Sequence, residues 1–72
     1  MPVVKTQPRL REILKERKIT QEKLAQMAKI PQGSISRFDS RTRHDSDHMF
    51  SIARVLGITV EELFHVEEIE EE

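Results

Sequence analysis

Apolar residues along the chain recur at helical spacing in separate clusters, with polar, glycine or proline breaks between them. Leu10, Ile13 and Leu14 form the first cluster. Pro8 suits the first turn of a helix, where its missing N–H is not needed, so a helix is predicted over about 8–18 with Thr6 or Gln7 at its cap. Leu24, Ala25, Met27 and Ala28 make the second apolar face. Thr20 is a strong N-cap, and Gln21 and Glu22 suit the positive end of a helix dipole, which predicts a helix over 21–28. Pro31 forbids simple continuation and disfavours helical geometry at Ile30, leaving a turn of a few residues. A third helix is predicted over about 31–39, with Pro31 in its first turn. Ile35 and Phe38 face inward there, and Gln32, Gly33, Ser36 and Arg37 outward. Ser40 to His44 is polar and basic and reads as a loop.

Met49, Ile52, Ala53 and Leu56 complete an i, i+3, i+4, i+7 stripe. A helix is predicted over 46–56, capped by Asp45 or Ser46 and ended by Gly57 in a left-handed conformation. Thr59 and Glu62 have the spacing of a capping box, which predicts a short fifth helix over about 60–64, with Ile58 and Leu63 able to pack across its start. The fold expected is therefore all-α, a compact five-helix domain over residues 1–66, followed by an acidic tail at 67–72. Self-repulsion makes the end of that tail the part expected to be least ordered. Val3-Val4 and Phe64-His65-Val66 have strand character. A short two-stranded pairing of the termini is an option that depends on the first and fifth helices bringing them together, because an isolated strand pair is marginal.

The chain has 72 residues, room for one domain with a modest core. It has no cysteine, which excludes a disulfide scaffold and thiolate metal sites. No apolar run approaches the ~20 residues of a membrane span, and the N-terminus lacks the apolar stretch of a signal peptide. A soluble cytoplasmic protein with no membrane contact is expected. The net charge of −1 conceals an asymmetry. Residues 1–43 hold eleven Lys or Arg against four Asp or Glu, whereas residues 44–72 hold one against nine. That pattern suggests a basic working surface and an acidic end, or two solvated faces of opposite sign that partly pair.

His44 and His48 stand four apart beside Asp45 and Asp47. The predicted start of a helix falls between them and no third ligand is evident, so they read as solvent-exposed polar residues and no metal is expected. His65 is isolated. Gly33 and Gly57 are the only glycines, so there is no glycine-rich phosphate loop. The Ser, His and Asp residues around 44–51 are neighbours in sequence without the features of a triad. Neither an enzyme nor a cofactor is expected.

The stretch Ile19-Thr20-Gln21-Glu22-Lys23-Leu24-Ala25 through Ile35-Ser36-Arg37-Phe38 has what a helix-turn-helix needs: a capped first helix, a small residue where helices cross, a short turn, and a second helix with buried residues at spacing three and polar ones between. Here the chain resembles the Cro/lambda-repressor-like, or XRE-type, family. Ile52-Ala53-Arg54-Val55-Leu56-Gly57 through Glu62-Leu63-Phe64 is similar to that family's closing segment, so the resemblance spans about 8–64. It implies a lambda-repressor-like fold and a small transcription regulator of bacterial or phage kind, such as a Cro-like repressor, that binds double-stranded DNA in the cytoplasm.

Position by position, the resemblance implies base contacts for Gln32, Gly33, Ser36 and Arg37. Gln suits adenine and Arg suits guanine in the major groove, whereas Gly33 offers only close approach. It implies phosphate contacts for Gln21 and for Arg41, Thr42 and Arg43, with Ser34 also in reach of a phosphate and Arg9 a weaker candidate. Plainer readings stand beside these: first-turn polarity for Gln21, an ion pair with Asp39 or a glutamate for Arg37, a solvated basic loop for 41–43. Ala25 matches the family's small crossing residue and is structural. The sequence departs from the pattern at Pro31, where a Ser or Thr cap is usual, at Arg41, where Gly is common, and at Ser46, which replaces an apolar residue. One small domain makes a limited DNA interface, so a homodimer on a near-palindromic site is expected. The alternative is a helix-turn-helix scaffold used for protein–protein regulation, with the acidic end binding a protein partner. A positive face free of glutamates favours the DNA reading.

Overall fold

The computed structural model describes residues 2–70. It departs from the all-α expectation: among the described residues four α-helices are joined by a two-stranded antiparallel sheet, with no fifth α-helix. Strand β1 (Pro2–Pro8) opens the chain, followed by α1 (Leu10–Arg17), α2 (Gln21–Ala28), α3 (Gln32–Ser36), α4 (Ser46–Leu56) and strand β2 (Phe64–Glu70). Single 3-10 turns stand at Phe38–Ser40 and Glu61–Leu63. Among the described residues no helix is long and apolar enough to cross a membrane.

The terminal pairing is thus a full ladder, with Pro2 opposite Glu70 and Pro8 opposite Phe64. Two corrections follow from it. The capping box does form, with Glu62 N donating to Thr59 Oγ1 at 3.3 Å and Thr59 Oγ1 donating to Glu62 Oε1 at 3.1 Å. The turn it opens closes as a 3-10 turn, because Leu63 is wholly buried and its carbonyl accepts from Arg9 N at 2.9 Å. That bond continues the strand ladder, and Phe64 leaves in extended geometry at φ −131, ψ 152. The acidic run also differs from expectation: Glu67, Glu68 and Glu70 are strand residues opposite Lys5, Val4 and Pro2, while residues 71 and 72 lie outside the described residues.

Pro8 ends β1 instead of opening α1. Arg9 occupies the N-cap position but makes no side-chain cap. The cap comes from across the fold: Leu10 N and Arg11 N donate to the two oxygens of Asp39 at 2.8 and 3.0 Å. A carboxylate on two free amides at a helix start satisfies the donors and complements the dipole. Helix α2 forms where the pattern puts it, with Thr20 Oγ1 accepting from Lys23 N at 3.0 Å, and α4 is capped by Asp45 and ended by Gly57 at φ 69.

Helices α1, α2 and α4 end alike. Lys18, Lys29 and Gly57 are left-handed, and the isoleucine after each (Ile19, Ile30, Ile58) donates its N–H back five residues to Leu14, Ala25 and Ala53. This is the Schellman arrangement with its apolar contact, and it explains why Ile30, in a turn, is buried. The core joins these caps to Leu10, Ile13, Leu14, Leu24, Ala25, Ile35, Phe38, Ile52, Ala53, Leu56 and Leu63. Met27, predicted on the apolar face of its helix, is 41% exposed.

Candidate nucleic-acid interface

The predicted reading helix is shorter than the sequence suggests. Pro31 sits at the N-cap with φ −56 and ψ 136, one residue before the helix, and α3 covers only Gln32–Ser36. Arg37 (φ −97, ψ 1) breaks the α geometry, and Phe38–Ser40 continue as a 3-10 turn. The reason lies in the partners of that turn: Phe38 is buried in the core and Asp39 is tied to α1, so the chain must leave the helical path to reach both.

Gln32 and Arg37 are exposed, and Gln21, Gly33, Ser34 and Ser36 half-buried. Arg37 forms no ion pair with Asp39, whose carboxylate serves α1. Among the described residues the ion pair is Arg9–Glu12 at 3.6 Å, and His65 Nε2 hydrogen-bonds Glu12 Oε2 at 2.9 Å. Arg37 instead lies back along its own helix, Nε donating to Gly33 O at 3.1 Å. A Cβ on Gly33 would come within 2.7 Å of the Arg37 guanidinium, so glycine there is what lets the side chain fold flat. That hydrogen bond is exposed, and an exposed bond exchanges with water at small cost, so the guanidinium is free to swing outward.

Arg41, Thr42 and Arg43 are exposed in the loop after the 3-10 turn. Arg41 is extended, at φ −102 and ψ 148, so the position that carries Gly in the family needs no left-handed residue here. Arg41 and Arg43 meet Ser34, Phe38, His44, Asp45 and His48 around a depression of about 130 Å³. Its acidic member, Asp45, accepts from Asp47 N at 3.2 Å as the cap of α4, and among the described residues no glutamate lines it.

The structure adds residues that sequence reasoning missed. His44, expected in solvent, is half-buried. Its ring stacks on Phe38 with centroids 4.2 Å apart, and Nε2 donates to Phe38 O at 2.6 Å. That bond anchors the basic loop against the core. His48, also half-buried, reaches the same depression. Arginines of the first helix serve the ends of other elements. Arg11 Nη2 donates to the carbonyl of Ser36, the last residue of α3, at 3.2 Å. Arg17 Nη1 does the same for Leu56 at the end of α4, and Arg9 Nε donates to Glu62 O at 3.0 Å. The last contact, with the Glu12 pair, gives Arg9 a structural role in place of the phosphate contact considered for it. None of these partners is near in sequence.

A two-helix unit that presents a short polar helix beside a basic, glutamate-free loop is the helix-turn-helix arrangement. The family model for the Cro/C1-type HTH DNA-binding domain matches residues 9–68, and the chain belongs to that family. Comparison with curated proteins and with solved structures gave no significant match.

Proposed function

We propose that the protein is a sequence-specific regulator of transcription that lays α3 in the major groove of double-stranded DNA. In this reading Gln32, Ser36 and Arg37 address base edges, with Gly33 allowing close approach, while Gln21, Ser34, Arg41, Thr42 and Arg43 hold phosphates. Two copies act together on a near-palindromic site, in a bacterial or phage setting in the cytoplasm. The observation that carries the proposal is the junction of α3 with the loop: Ser34, Arg41 and Arg43 share one depression, and among the described residues its one carboxylate, Asp45, also serves as a helix cap. Clustered arginines that outnumber the single aspartate beside them supply the sequence-independent part of the affinity. The test is selection of bound sites from a random duplex pool at two salt concentrations. A recovered consensus, with affinity falling steeply as salt rises, supports the reading. Equal retention of all sequences at both concentrations refutes it.

A further inference from the structure

The β-ribbon has an edge whose donors point away from the molecule, and their positions follow from the ladder. Arg9 N donates to Leu63 O, which makes Arg9–Leu63 a hydrogen-bonded pair. Such pairs alternate along an antiparallel ladder. Gln7–His65, Lys5–Glu67 and Val3–Ile69 are therefore the bonded pairs, and Val4, Thr6 and the two prolines of β1 turn their nitrogen side outward. Pro2 and Pro8 have no hydrogen to give, in keeping with proline at a free edge. Only Val4 and Thr6 remain as outward donors. Neither N–H appears in any hydrogen bond with a turn, loop or side chain of the described residues, and Val4 is 57% exposed.

We propose that this edge of β1 pairs antiparallel with β1 of a second copy, the dyad passing between the two Lys5 residues. Val4 of each copy then exchanges both backbone bonds with Thr6 of the other, four bonds in all, and the prolines stop the ladder at either end. The result is a four-stranded sheet, which clears the marginal stability of an isolated two-stranded ribbon. Charge selects β1 over β2. Self-pairing of β2 would gather Glu67, Glu68 and Glu70 of both copies along one seam, and like charges brought together across strands destabilise. On β1 the only charged residue is Lys5. Its copy faces it, but each lysine has Glu67 of its own chain as cross-strand neighbour, so one row reads Glu-Lys-Lys-Glu and is neutral. On the other face the exposed Val4 packs on the Thr6 methyl of the second copy. The surface deepens the two-copy part of the function proposed above and rests on it for its purpose, but it forms without DNA.

The test uses the absence of native cysteine. In Lys5→Cys the two thiols meet across a non-hydrogen-bonded pair, where Cα atoms about 4.5 Å apart suit a disulfide. With oxidised glutathione and no DNA, this variant is expected to become mostly covalent dimer, at least tenfold faster than Glu67→Cys, which sits one strand further from the dyad. Adding Thr6→Pro removes an outward N–H used twice by symmetry and is expected to reduce the cross-linking tenfold, with the far-ultraviolet circular dichroism unchanged. Equal rates for Lys5→Cys and Glu67→Cys overturn the proposal. So does preferential cross-linking between the two variants when mixed, which is head-to-tail pairing. Anisotropy with a random-sequence duplex separates the two claims: cross-linking without duplex binding leaves this surface standing and removes the DNA reading, and binding without cross-linking does the reverse.

Discussion

Replacing Asp39 by Ala removes the side chain that caps α1. Two backbone amides, Leu10 N and Arg11 N, lose a carboxylate at 2.8 and 3.0 Å. Hydrogen bonds to a charged group contribute about 1.5–3 kcal/mol each, but the two do not simply add. The Arg11 bond is exposed and water replaces it, whereas the Leu10 bond is partly buried and its donor is left poorly solvated. Loss of an N-cap alone costs about 0.5–2 kcal/mol. The expected destabilisation is about 2 kcal/mol, most of it from Leu10, and Asp39→Asn, which keeps one acceptor, is expected to cost about 1 kcal/mol. For a domain of this size about 2 kcal/mol lowers Tm by roughly 8–16 °C. The chain has no Trp or Tyr, so the assay is urea and thermal unfolding followed by circular dichroism at 222 nm. Glu68→Gln, which removes an exposed strand carboxylate, is the control for net charge. The midpoint is expected to move with an unchanged slope in urea. A change within ~0.5 kcal/mol for Asp39→Ala, the range of an ordinary surface substitution, would refute the reasoning.

Arg37→Ala is expected to relax preference at one base position, by about 1–3 kcal/mol of discrimination, in selection from a random pool. Arg43→Ala is expected to weaken binding to all duplexes alike and to reduce the salt slope by about one, read by anisotropy titrations across salt. Gly57→Ala places a Cβ at φ 69 with no heavy atom within 4 Å of it, so the cost is backbone strain alone, about 1–2 kcal/mol in urea unfolding.

The helices at 21–28 and 46–56 were legible because their caps and apolar stripes are local: Thr20, Asp45 and Gly57 act on amides and carbonyls within a few residues. The misjudged boundaries all depend on distant partners. Pro8 is compatible with a helix start and with a strand end, and only Phe64 opposite it decides between them. The fifth helix had a valid capping box, but the Arg9 amide competes for the Leu63 carbonyl. At the site, the exposure of Gln32 and Arg37 followed from spacing. The seating of His44 on Phe38 and the use of Asp39 did not, because each depends on how the loop after α3 returns to the core.

The fastening of α3 has a consequence for how such a protein can change its target. Its far end is gripped by Arg11 on the Ser36 carbonyl and by Asp39 just beyond it, and its inner side by Ile35 and Phe38. Ser36 and Arg37 contribute their main chains to that grip, and the Arg37 side chain adds one exposed bond to the Gly33 carbonyl. On the DNA reading proposed above, new side chains at 32, 36 and 37 can therefore be tried while the main-chain grip on the helix stays in place, so a lineage is free to drift to a new target at small cost in stability.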